Sequence, residues 1–482
     1  VNKRKHRSAK WTLIGLLVLV PAVVGMYHRL KPMPEQYSMK SPLYPVDQVD
    51  FLHDLTYETK EGRLTHKQEI MKEAYQMINQ AQDYLIIDMF LFNDDYDHQT
   101  QQFPAVAQTM TDKLIAKKQA SGIPIYFITD PINSFYGTYT PKHIQALKDA
   151  GITVVETNLS ALRDSNPLYA GLYRSYFAWF GQSNAGFLPN AFRTDGPKVN
   201  FLSYLQLLNF KANHRKTLAN EQEALITSAN PHDGSAYHSN IAFKLKGPIL
   251  KDLLQSELAV IKDAGLDTQS IKLSPQIPDK KKDQTQSALQ VGLISEGKIK
   301  ERLLQCIQSS RTGDKLHLGL FYLSDRDIIQ ALKEAANRKV QIQLILDINQ
   351  DAFGKKKMGI PNRPVAHELS QASPNIQIRW YQSHGEQYHA KFMIKESAEQ
   401  VEVIGGSANF TQRNLADLNL ETDVYLVGKS SQKTMQEILT YYRRIWTNED
   451  GQYTVAYQTY AEDSWWKTAL YRLQEWSGLS TF

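Results

Sequence analysis

An apolar run of strand length, closed by an aspartate, recurs along this chain in matched pairs. Asp83-Tyr-Leu-Ile-Ile-Asp-Met-Phe-Leu-Phe-Asn-Asp94 and Asp314-Lys-Leu-His-Leu-Gly-Leu-Phe-Tyr-Leu-Ser-Asp325 each read as a buried strand ending at an acidic turn. Helical periodicity follows each, at Val106–Gln119 and Asp327–Asn337. Next come Ile123–Asp130 and Val340–Asp347, again apolar and again closed by aspartate, with shorter strands expected at Ile152–Glu156 and Ile376–Tyr381. Strands alternating with helices predict an α/β fold of two homologous lobes, each a mixed, largely parallel sheet flanked by helices. Two unrelated domains would not share four elements in one order.

The 482 residues suffice for two domains, each with a substantial core. Leu273–Gln290 is polar, proline-broken and without period. Residues 32–272 are therefore read as the first lobe, 273–290 as a linker and 291–482 as the second lobe. A single cysteine, Cys306, excludes an intramolecular disulfide.

Trp11–Tyr27 is a mostly aliphatic stretch without charge, preceded by Lys3, Arg4, Lys5, Arg7 and Lys10. At about 1.5 Å per residue it just reaches across a hydrocarbon core. Gly25-Met26-Tyr27 followed by His28-Arg29 supplies no clean cleavage site. Residues 1–31 are read as an uncleaved single-pass transmembrane anchor, with the N-terminus cytoplasmic and the catalytic lobes outside the cell membrane. Setting the anchor aside changes the charge picture. The whole chain is +5, but the remainder holds 48 basic against 50 acidic residues. A non-specific nucleic-acid binder carries a basic surplus, so no nucleic-acid partner is expected.

The matched halves also carry matched chemistry. Of thirteen histidines, only His214 and His389 have a lysine two places on, Lys216 and Lys391. Ser-Ala-Asn occurs only twice, at Ser228–Asn230 and Ser407–Asn409, and each copy trails one of those histidines. In an extended segment the histidine and lysine of one motif share a face. A lysine is a point charge suited to a phosphate oxygen, and an asparagine amide donates a further hydrogen bond. Two copies facing each other would surround one phosphodiester, one imidazole attacking phosphorus and the other protonating the departing alkoxide. No cofactor is called for, and no His, Cys and carboxylate cluster has metal-ligand spacing.

These residues resemble the phospholipase D superfamily, whose signature is His-x-Lys-x4-Asp followed by Gly/Ser-x-Asn. The resemblance covers roughly residues 80–430. Gly405-Gly406-Ser407-Ala408-Asn409-Phe410, then Arg413, Asn414, Asn419 and Glu421, is similar to that family's C-terminal signature. It implies one active site at the lobe interface, built on His214, Lys216, Asn230, His389, Lys391 and Asn409. It also implies a covalent phosphohistidine and no metal, with His214 the attacking and His389 the protonating residue.

This sequence departs from the pattern in places. The motif aspartate falls at Glu221 and Glu396, and Thr227 stands where the second copy has Gly406. Glu421 has no clear counterpart in the first half, where Asn240 is the nearest text. Glu221, Ser228, Glu396, Ser407 and Glu421 are read as supporting residues. Glu396 or Glu421 is the candidate to raise the pKa of His389, and Glu221 to orient His214.

The substrate needs separate argument, since one fold serves many chemistries. Leu168–Phe210, inserted before the first motif, holds eleven aromatic residues, and the second half has no such insertion. It is read either as added core or as an interfacial lip. At the C-terminus, Trp465, Trp466, Ala469, Leu470, Leu473 and Trp476 fall on one face of an amphipathic helix. Beside the anchor, both favour membrane phospholipids as partners. The expected activity is a phospholipase D or a cardiolipin-synthase-like phosphatidyltransferase. An exported nuclease and a catalytically idle scaffold are the alternatives; the neutral globular charge opposes the first, the intact paired motifs the second.

Overall fold

The computed structural model describes residues 2–34, 36–180, 186–193, 195–268, 271, 289–352, 355–480 and 482. Most of the expected linker thus lies outside the described residues. The matched apolar runs form strands Leu85–Met89 and Lys315–Leu320, each followed by a helix, Val106–Ser121 and Arg326–Asn337. Strands Ile125–Thr129 and Gln341–Leu346 lie parallel to them, with Thr153–Glu156 and Ile376–Tyr381 next in line.

The repeat extends to the complete sheets. In the first lobe the strand order is Asp50–His53, Ile241–Leu245, Ala224–Thr227, Lys216–Ala219, Leu85–Met89, Ile125–Thr129, Thr153–Glu156. The second lobe repeats that order as Leu289–Ser295, Thr422–Gly428, Val401–Gly406, Lys391–Glu396, Lys315–Leu320, Gln341–Leu346, Ile376–Tyr381, with one further strand at each edge. Each pairing keeps its direction between the lobes. The sheets are mixed, as expected, yet only two of the six repeated pairings are parallel. The parallel half holds the matched strands that the sequence pattern marks. The antiparallel half comes from hairpins after each histidine, whose short strands alternate with polar site residues.

Alternation along the strands sends side chains to two cores. Leu85, Ile87, Met89, Leu218 and Leu225 face helices Ile70–Gln80, Val106–Ser121 and Lys142–Asp149. Ile226, Ile241 and Phe243 instead meet Phe392, Val403 and Val424 of the second lobe, so the two sheets share one core. Truncating Phe392 or Phe243 to alanine there would cost about 3–5 kcal/mol. The lobes also exchange edges. Tyr44–Val46 pairs with Leu289–Ser295 of the second sheet, and Gly451–Gln452 pairs with Leu55–Thr59 of the first half.

The N-terminal segment is one helix, Asn2–Leu30, long and apolar enough over Ala9–Leu30 to cross a membrane. The aromatic insertion is largely surface rather than core: Leu168, Phe177, Trp179, Phe180, Phe187 and Phe201 are exposed. The C-terminal helix Trp465–Ser477 buries Tyr471 and Glu475, while Trp465, Leu473 and Trp476 point outward.

Candidate active site

A parallel backbone bridge on each side of a pseudo-two-fold axis joins the lobes where the motifs begin. Asn213 bridges to Leu420 and Tyr388 to Ser239. The His214 amide donates to the Leu420 carbonyl at 2.9 Å, and the His389 amide to the Ser239 carbonyl at 2.8 Å. The strand-closing aspartates fix these segments. Asp130 accepts from the Asn213 amide at 2.7 Å and Asp347 from the Tyr388 amide at 2.8 Å. Burial pushes both carboxyls up to about 7.

Each histidine is then oriented by side chains of the opposite lobe. His214 Nδ1–H donates to both oxygens of Glu421, at 2.8 and 3.0 Å, and Glu421 also accepts from the Ser407 hydroxyl and the Asn414 amide. His389 Nδ1–H donates to Asn240 Oδ1 at 3.1 Å, which accepts from the Ser228 hydroxyl at 3.0 Å. Asn240 therefore occupies the position of Glu421, and the two relays differ by one charge. Because an amide oxygen only accepts, Nδ1 of His389 carries the proton and Nε2 is the atom left for chemistry.

The lysines curl back on their own motifs, Lys216 Nζ donating to the His214 carbonyl at 2.7 Å and Lys391 Nζ to that of His389 at 2.5 Å. Each sits 5.1 Å from an aromatic centroid, Phe90 and Phe321, and the same two rings flank the histidines. Asn230 accepts from the Leu91 amide at 3.2 Å, which leaves its amide hydrogens free of that contact. Asn409 Oδ1 is buried without a partner. His214, Asn230, His389 and Asn409 share the wall of one cavity of about 500 Å³, whose other lining includes Phe90, Tyr136, Phe192, Phe210, Phe321 and Phe482.

Burial dominates the electrostatics. It lowers the His214 pKa to about 4 against the pull of Glu421, and lowers Lys216 to about 7. His389 and Lys391 are both held well below their ordinary values, by burial first and then by neighbouring cations, with no carboxylate on His389 to oppose the shift. Burial opposes ionisation of Glu421, but the charges of His214 and Lys216 and the Ser407 hydroxyl keep it below the usual carboxylate range. Burial disfavours the charged forms of these groups, and a nearby anion favours them.

Two expected supporting residues lie elsewhere. Glu221 accepts from the Gln82 and Asp83 amides at 3.1 and 3.2 Å, and Glu396 pairs with His317 at 3.2 Å. Five residues along an extended strand is about 16 Å, too far to return to the motif lysine. Glu421, one candidate for raising His389, meets His214 instead. Asp130 and Asp347 were legible only as strand ends, and Phe90 and Phe321 only as apolar positions. His238 gave no sequence signal. Its ring lies 5.7 Å from that of His389 and its Nδ1 accepts from the Gln387 amide at 3.3 Å. Arg215, between the first histidine and lysine, is fully buried, with Glu296 at 2.8 Å and Glu257 at 3.6 Å; Glu296 also accepts from the Glu421 amide. Among the described residues no group of three or more His, Cys, Asp or Glu could hold a metal ion.

Residues 303–446 match the family described as cardiolipin synthase, phospholipase D-like domain. Among curated proteins none matches the chain. The fold is similar to that of phosphatidylserine synthase from Haemophilus influenzae Rd KW20, with TM-score 0.54, 11% identity, 91% of this chain and 95% of that one covered. At that identity the likeness is one of fold. Polyphosphate kinase from Porphyromonas gingivalis aligns with TM-score 0.43, 12% identity, 90% of this chain and 54% of that one. A phospholipase D family member from Salmonella typhimurium aligns with TM-score 0.26, 19% identity, 34% of this chain and 97% of that one. The second lobe thus carries a match to a cardiolipin-synthase-type, phospholipase D-like domain, and the first lobe repeats its strand order.

Proposed function

We propose that the protein is a membrane-anchored phosphodiesterase or phosphatidyltransferase acting on glycerophospholipids, of phospholipase D or cardiolipin synthase type. The observation that carries this is the meeting of His214 and His389 in one apolar-walled cavity, each oriented by side chains of the other lobe. The phosphate of a lipid diester would lie between Lys216 and Lys391, within reach of Asn230 and Asn409. His214 Nε2 attacks phosphorus, forming a P–N bond as the P–O bond to the departing alcohol breaks. Glu421 offsets the positive charge this places on the imidazole. His389 gives its Nε2 proton to the alkoxide, then takes one from the incoming water or alcohol, whose attack breaks the P–N bond. Burial first, and then the neighbouring cations, hold the His389 pKa well below its ordinary value, and the negative charge of a bound diester favours its taking up that proton.

Incubation of the purified protein with labelled phosphatidylglycerol, phosphatidylcholine and single-stranded DNA, with EDTA present, tests the reading. Head-group release or transfer from phospholipid in EDTA is expected. Cleavage of DNA alone, or turnover that EDTA abolishes and one divalent metal restores, would overturn it.

A further inference from the structure

We infer that residues 167–180 form a second, re-entrant membrane element, immersed beside the apolar N-terminal helix, so that two packed helices hold the catalytic lobes on the bilayer. This rests on reading Asn2–Leu30 as a membrane anchor.

Helix Pro167–Tyr176, which the turn Ala178–Phe180 follows, runs antiparallel to the apolar helix and in close contact with it. Gly25 lies against Pro167 and Gly171, and Gly171 against Pro21, so near that a Cβ on either glycine would strike backbone. Small residues of this kind let helices approach in hydrocarbon. Farther along, the Tyr176 hydroxyl donates to the Leu17 carbonyl at 2.7 Å. Leu17 is eleven residues before His28, about 16 Å along a helix and about half of a hydrocarbon core. His28 marks the lobe end, because its carbonyl accepts from the Asp164 amide and Lys31 Nζ donates to the Ser160 carbonyl.

The outer surface of this second helix fits lipid and not water. Leu168, Trp179 and Phe180 are 68%, 79% and 72% exposed. Such a patch on a soluble surface would be a liability. Most of its polar side chains are tied internally, while Ser175 Oγ is buried without a partner. The Trp179 indole donates to the Ser175 carbonyl at 2.9 Å, and the Tyr169 hydroxyl to the Leu205 carbonyl. Arg174, the only charged residue from 167 to 180, is held two-pronged by buried Asp164 at 2.6 and 3.0 Å. In hydrocarbon, unsatisfied polar groups and free charges are what a segment must avoid. The chain that follows supplies Phe192, Leu207 and Phe210 to the cavity wall, so an immersed 167–180 sets the cavity against the leaflet.

Cys306 is buried, so single cysteines introduced elsewhere can be labelled selectively. The full-length protein carrying an environment-sensitive fluorophore at Leu168→Cys, Leu172→Cys or Trp179→Cys is reconstituted in phosphatidylglycerol–phosphatidylcholine vesicles. Val18→Cys reports the anchor and Gln330→Cys, on an exposed helix face, the aqueous surface. The expected result is blue-shifted emission at 168, 172 and 179, lost to brominated lipid as at 18, and insensitive to aqueous iodide. Quenching by iodide at 172 and 179, with 18 still lipid-quenched, would leave the anchor standing and overturn the re-entrant element. Iodide access at 18 as well would overturn both.

Discussion

Glu421 meets His214 at 2.8 Å where the equivalent Asn240 meets His389 at 3.1 Å, so one histidine is backed by a charge and the other by a dipole. Both lobes bring a histidine, a lysine and an asparagine to the site, and this pair is the difference that assigns different work to each half. Replacing Glu421 by glutamine keeps the shape and removes the charge that offsets a phosphorylated imidazole. Turnover should fall by about 10²-fold or more on every substrate. Asn240→Asp should instead alter the step in which the leaving group takes a proton, and so change an alkyl diester more than a nitrophenyl one. Steady-state rates on an alkyl and a nitrophenyl diester distinguish the two.

Two groups of the free enzyme give the pH profile of kcat/KM its values near 4 and 7. His389 and Lys391, which must also be protonated and are held well below their ordinary values, steepen its fall with rising pH. His214 must be neutral to attack, so the rate should rise as pH passes upward through its value of about 4. Lys216 must be charged to hold phosphate, so the rate should fall as pH rises through about 7. Lys216→Arg should carry the falling limb to higher pH. A profile flat from pH 4 to 9 would remove both assignments.

The fold and the site were legible to different depths. The apolar run Ile125–Thr129 announces a buried parallel strand, because both faces of that strand are covered. The short strands Lys216–Ala219 and Ala224–Thr227 carry site residues and lack that signal, so the antiparallel half of each sheet went unseen. Motif residues were legible because their types and order repeat. Their partners were not, because Asn240 and Glu421 act across the lobe interface and no spacing within one lobe encodes that contact. Glu221 and Glu396 had the right spacing for a supporting carboxylate, but an extended strand carries them away from the cavity.

Lys216 and Lys391 are buried lysines whose charged forms burial opposes, while nearby carboxylates and a bound anion favour them. Lys216→Met and Lys391→Met should each depress turnover by about 10²–10³-fold. Neither should lower the thermal midpoint of the ligand-free protein. A large fall in that midpoint would mean that the lysines are structural.

Arg215 behaves oppositely. It is the cation between Glu296 and Glu257, all three buried, and it ties the first motif to the start of the second lobe. Arg215→Met strands two carboxylates in the interior and should destabilise by about 3–5 kcal/mol. Urea unfolding measures it. A loss under about 1 kcal/mol would show that water or rearrangement satisfies those carboxylates.

The division of labour between the histidines is tested most directly by trapping the covalent enzyme. A diester with a nitrophenolate leaving group needs no proton on departure, so attack proceeds without the general acid. In the His389→Ala protein, quenched by denaturation in alkali and mapped by mass spectrometry, the phosphoryl adduct should be found on His214, and the His214→Ala protein should carry none. An adduct on His389 in the His214→Ala protein, or full turnover by either variant with no adduct on histidine, would contradict the account.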